Sequence, residues 1–139
     1  MQRDYILRMI EQAAAVLRVL LNRILGREAD AAQVSRDLRR AAAFGGLDID
    51  LLRLGDADTV LRMVSPGGDP EPGRTWVAAE SLFLDAVAAQ LDERLEDAAA
   101  SFAKARLLYG LVGAAQLPGG FREVAERIRD IDARLAALA

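Results

Sequence analysis

Apolar residues recur at alternating spacings of three and four along most of the chain, and this period constrains its fold more than any other feature. Ile6, Ile10, Ala13, Leu17, Leu20 and Ile24 follow it, as do Leu95, Ala98, Phe102, Ala105, Tyr109 and Val112. Val124, Ile128, Ile131, Leu135 and Leu138 repeat it further on. Such spacing gathers side chains on one face of a helix, whereas a half-buried strand needs strict alternation over four to eight residues. Ala and Leu, both strong helix formers, dominate, and aromatic residues make up only 5%. The chain reads as all-α.

Five long helices and two short ones are expected. The first spans Arg3 to Leu25 and stops at Gly26, a natural left-handed cap. Leu7, Ala14 and Leu21 widen its apolar stripe beyond a narrow seam. A second helix, from Glu28 to Phe44, carries Ala31, Val34, Leu38 and Ala41 on one face and ends at Gly45-Gly46. The short link makes the two an antiparallel hairpin. Asp48 can cap Ile49 to Leu54, and Asp56 can cap Ala57 to Val64. Ser65 to Gly73 then holds three of the four prolines, reads as neither helix nor strand, and links two halves, 1–64 and 74–139, of a single domain. Helices over Arg74 to Leu91, Leu95 to Val112 and Phe121 to Leu138 complete the chain, with Leu117-Pro118-Gly119-Gly120 between the last two.

Composition excludes several chemistries. Without Cys there is no disulfide, thiol nucleophile or cysteine zinc site, and without His the commonest general base is missing. Ser and Thr hydroxyls are present, but no recognisable base stands ready to activate one, so no enzyme, cofactor or metal is expected. A net charge of −3 argues against nucleic acid as the main partner. The uncharged run Gln12 to Leu17 falls far short of the ~20 apolar residues of a membrane span. Arg8, Glu11 and Arg18 interrupt what would be a signal peptide's apolar core, so a cytoplasmic protein is expected.

Some patterns invite sharper readings. Asp48, Asp50, Asp56 and Asp58 form two Asp-x-Asp pairs, but the Gly and distal Glu of a calcium loop are misplaced, and helix capping accounts for Asp48 and Asp56. Gly67-Gly68 and Gly119-Gly120 lack the Lys-Ser/Thr ending of a phosphate loop. Arg36, Arg39 and Arg40 could form a patch for an acidic partner, or a solvated face paired with Asp37 and nearby carboxylates. Helix 1 lacks the bulky aromatics of a membrane-surface helix, with Tyr5 its single aromatic residue.

From Ala79 to Tyr109 the chain resembles one tetratricopeptide repeat, a helix-turn-helix unit of about 34 residues. The matching residues are Ala79-Glu80, Leu82 and Ala86 in the first helix, then Glu96-Asp97-Ala98, Phe102 and Lys104-Ala105 in the second. Small Ala98 and Ala105 would let the helices approach while Phe102 fills the space between. Glu93 stands where the repeat usually has its turn glycine, and Asp85 takes a position that is usually apolar. The whole chain also resembles a small bacterial family of tetratricopeptide-like helical proteins without an established activity. Arg3 to Gln12, Gly46 to Leu52 and the repeat-like hairpin carry that likeness. It implies stacked antiparallel hairpins and supplies no chemistry.

The reading that follows is a non-enzymatic module that binds an unidentified protein partner. The alternative is a domain binding a small molecule or lipid in a pocket between the halves. Asp85, among Leu82, Phe83, Leu84, Ala86 and Val87, is the foremost candidate polar residue: a buried carboxylate must meet an arginine or several donors, or line an open groove. Helix 1, with its wide stripe, is expected to form a two-fold homodimer interface. Otherwise it lies in the middle of the fold, buried by both halves of a monomer.

Overall fold

The computed structural model of the chain describes residues 2–114 and 122–139. Its elements are α1 (Gln2–Leu25), α2 (Ala31–Phe44), α3 (Ile49–Leu54), α4 (Ala57–Met63), α5 (Pro72–Leu91), α6 (Leu95–Ala114) and α7 (Arg122–Leu138). All described secondary structure is helical: five long helices, two short ones, stacked largely as antiparallel hairpins. No described helix is long and apolar enough to cross a membrane.

The centre of the stack is α5. Every residue from Thr75 to Ala89 is buried, so this helix is covered all round, as an evenly apolar helix must be. It packs most extensively on α6, and also on α1, α2 and α3. In the α5–α6 hairpin Leu82 and Ala86 are fully buried, as are Ala98, Phe102 and Ala105. The Phe83 and Phe102 rings meet edge to face at 6.0 Å. The apolar stripe of α1 is wide because it serves two neighbours: α2 on one side and α5 on the other.

Local chemistry sets the helix ends and corrects several expected boundaries. Helix α2 starts at Ala31 rather than Glu28, because the Asp30 carboxylate accepts from the Gln33 amide at 2.8 Å. Pro72 and Gly73, expected in the linker, instead open α5. Glu71 caps it by accepting from the Gly73 and Arg74 amides, each at 2.8 Å, and Pro72 is pre-shaped for the first turn. The left-handed residue after α1 is Arg27 (φ 54°) rather than Gly26. Its neighbour Glu28 donates its amide to Arg23 at 2.8 Å, closing the terminal wrap one residue later than expected. Glu93 takes φ 61° in the α5–α6 turn, the conformation for which a glycine is best suited. The Leu117–Gly120 break and the expected start at Phe121 lie outside the described residues.

Candidate functional site

Asp85 lies two-thirds of the way along α5, and two other helices converge on it. From α3, Arg53 donates Nε to its Oδ1 at 2.9 Å; from α6, the Ser101 hydroxyl donates to Oδ2 at 3.0 Å. Arg53 also gives Nη1 to Asp50 at 3.0 Å, and Asp50 accepts from Arg39 of α2 at 3.1 Å. The result is a chain of alternating charge, Arg39–Asp50–Arg53–Asp85, running from the surface to the core.

Lys104 of α6 holds the arginine in place from behind. Its amine donates to the Leu52 carbonyl at 3.0 Å and to that of Arg53, two of the orphan carbonyls at the end of α3. Burial lowers the pKa of Lys104 from the ordinary 10.5, against the opposing pull of Asp85 and Asp56.

Arg53, Asp85 and Ser101 line a cavity of about 620 Å³. Asp85, Ala88 and Leu91 of α5 form its floor; Ala31, Val34 and Ser35 of α2 line one wall, and Asp97, Ala100 and Ser101 of α6 the other. Arg53 and Leu54 close the α3 end, while Ile24, Arg27 and Ala29 border it from the α1–α2 turn. Asp85 therefore meets both alternatives set for it: it is ion-paired, and it lines an open groove. Leu54, at 85% exposure, is the most exposed large apolar residue described and stands at the groove's rim.

A second buried carboxylate on α5 has a comparable setting. Glu80, 4% exposed, accepts from the Tyr109 hydroxyl of α6 and from Arg127 Nε of α7 at 2.9 Å. The Arg127 guanidinium also lies 4.5 Å from the centre of the Phe83 ring. Burial pushes the Tyr109 phenol well above its ordinary pKa of 10.0, and the Glu80 charge adds to the rise. This triad ties α7 to the central helix and does not line the cavity. Sequence reasoning singled out Asp85 and passed over Glu80, although an all-apolar central helix is a signal that covers both.

The other candidates lie apart. Arg36, Arg39 and Arg40 are exposed on α2; Arg39 pairs with Asp50 of α3 rather than with Asp37. Asp48 accepts from the Asp50 and Leu51 amides and Asp56 from the Thr59 amide, so both are helix caps. The Thr59 hydrogen bonds hold the Asp56 pKa below its ordinary value. Among the described residues no group of three or more acidic side chains is placed to hold a metal ion. Comparison with protein-family models, curated proteins and solved structures finds no match to this chain.

Proposed function

We propose that the chain is a non-enzymatic helical interaction module, built of tetratricopeptide-like hairpins, that receives a protein partner in the groove over α5. One observation carries this reading. Three long helices border the cavity without closing it, and in its lining the bonded Arg53–Asp85–Ser101 cluster presents polar groups in fixed geometry. Pre-ordered polar groups cost less entropy on binding than free side chains do. The tetratricopeptide likeness draws support from the α5–α6 packing, where small Ala98 and Ala105 flank the buried Phe102.

Cavity volume favours a second reading, a small molecule or lipid, because 620 Å³ falls within the ~300–1,000 Å³ typical of ligand pockets. Against it, the space stands open to solvent and four Asp and three Arg line it among the apolar residues, a setting that suits a partner with charged as well as apolar groups better than a wholly apolar ligand. The alternative set for α1, burial within a monomer, draws support from its packing. The buried stripe is used by α2 and α5, and the outer face mixes Tyr5, Val19 and Leu25 with Arg8, Glu11, Arg18 and Arg23. We therefore propose a monomer that binds a different protein.

A photo-crosslinking residue at Ala100, in the groove, is compared with one at Ala103, exposed on α6 outside it. The module reading expects one protein adduct at Ala100 and none at Ala103. Equal labelling at both positions, or a small molecule retained in native mass spectrometry with no adduct, overturns it.

A further inference from the structure

We infer that the groove's occupant is an amphipathic helix bearing basic residues, laid along α5 between α2 and α6; this rests on reading the groove as the interaction surface. Backbone chemistry decides between a helical and an extended occupant. An extended peptide brings unpaired N–H and C=O groups, which ordinarily find a sheet edge, and among the described residues there is no strand. The walls are helices, and the helix ends that reach the groove offer only scattered first-turn amides and last-turn carbonyls, some already capped, with no continuous row of partners for an extended chain. A helical occupant arrives with its backbone satisfied and needs only side-chain complementarity.

The walls suit a helix in shape. Ala31 and Ser35 on α2 and Ala100 on α6 are small residues along the groove, which permits close approach of another helix.

Charge then sets the occupant's character. On the α5–α6 side Asp92 and Asp97 face the cavity and share one cation, Arg94, at 3.6 and 3.3 Å, which leaves one carboxylate in excess; Asp85, on the same side, is already matched by Arg53 at 2.9 Å. The α2 side is balanced, with Arg27 and Asp30. A helix carrying Lys or Arg along the edge that meets α6 complements this asymmetry, and one carrying Asp or Glu there is repelled.

The probe is a fluorescein-labelled peptide of 14 residues, the length of α2, made of Ala and Leu with Lys along one edge. A twin replaces Lys by Glu, and a third peptide carries a central Pro that breaks the helix. Fluorescence anisotropy with the full chain at about physiological salt is expected to show the Lys peptide binding at least ~10-fold more tightly than either control. Ala100→Trp fills the groove without altering charge, and Ala100 is exposed, so the fold is spared. It is expected to weaken the Lys peptide ~10-fold, and Asp97→Asn to weaken it by less.

Binding unchanged in Ala100→Trp, equal binding of the Glu twin, or equal binding of the Pro peptide each overturns the inference. Adducts at Ala100 without Lys-peptide binding would reject the basic helix and leave the module; no adduct at Ala100 would reject the module itself.

Discussion

Replacing Asp85 by Ala removes one carboxylate and strands two donors, Arg53 Nε and the Ser101 hydroxyl. Breaking a fully buried pair costs ~3–5 kcal/mol. Here the Arg53 side chain keeps 27% of its exposure and retains Asp50, so screening and the second partner reduce its share to ~1–2 kcal/mol. Ser101, 5% exposed, loses its acceptor for a further ~1 kcal/mol. The sum, ~2–3 kcal/mol, lowers the melting temperature by roughly 6–12 °C for a domain of this size. Arg53→Met is expected to cost more, ~3 kcal/mol, because it leaves the more deeply buried partner charged with the Ser101 hydroxyl as its remaining bond. Urea unfolding followed by Trp76, the single tryptophan and 3% exposed, measures both variants and their combination. The double variant should be less destabilised than the sum of the two by ~1–2 kcal/mol. If Asp85→Ala lies within ~0.5 kcal/mol of the parent, or the two substitutions simply add, the pair does not anchor α3 to α5.

The same unfolding assay checks Phe102→Ala, expected to cost ~3–5 kcal/mol because the side chain is fully buried and meets Phe83; a loss under ~1 kcal/mol would remove the hairpin assignment. Glu93→Gly is expected to stabilise by roughly 0.5–1 kcal/mol, since glycine relaxes φ 61° at no steric cost; destabilisation would show that the Glu93 side chain does more than bear strain. Tyr109, with its folded pKa raised above the ordinary 10.0, contributes stability that is complete below about pH 10 and is lost as pH rises further. Tyr109→Phe should flatten that alkaline decline, and an unchanged slope would contradict the burial of a neutral phenol. Sedimentation equilibrium at micromolar concentration should give a single 15.0 kDa species, and a 30 kDa-range dimer, about twice that mass, would restore α1 as a contact surface.

Helix positions were legible because they follow local chemistry. The three-four period placed α1, α2, α6 and α7, and Asp48 and Asp56 announced the starts of α3 and α4 as caps. The boundary errors share one cause, a choice among neighbouring residues of similar aptitude. Gly26 and Arg27 could each end α1, and φ 54° falls on Arg27 because the wrap closes from Glu28 to Arg23. At α5 a proline-rich stretch read as linker throughout, yet Pro72 behind the Glu71 cap is a proline in the one turn where a helix accepts it.

The candidate site was legible only in part, and sequence separation explains which part. A carboxylate inside an apolar helix must find a partner, so Asp85 could be singled out from its neighbours alone. Which partner it finds depends on packing: Arg53 is 32 residues away, and the Arg127 that meets Glu80 is 47 away. Nothing in the local pattern separates either arginine from the exposed ones. Arg53 is the penultimate residue of a six-residue helix, and Arg127 lies beside the apolar stripe of α7, between Val124 and Ile131, from where a long side chain can equally reach solvent. The groove is less legible still, because its lining combines short stretches of α2, α3, α5 and α6 that share no periodicity. It arises where α2 and α6 each pack on α5 without packing extensively on each other, leaving Ala88 and Leu91 to face the gap. A gap of that kind is set by how the helices diverge. Substitutions that only fill it, such as Ala100→Trp, should therefore change binding while leaving stability near that of the parent.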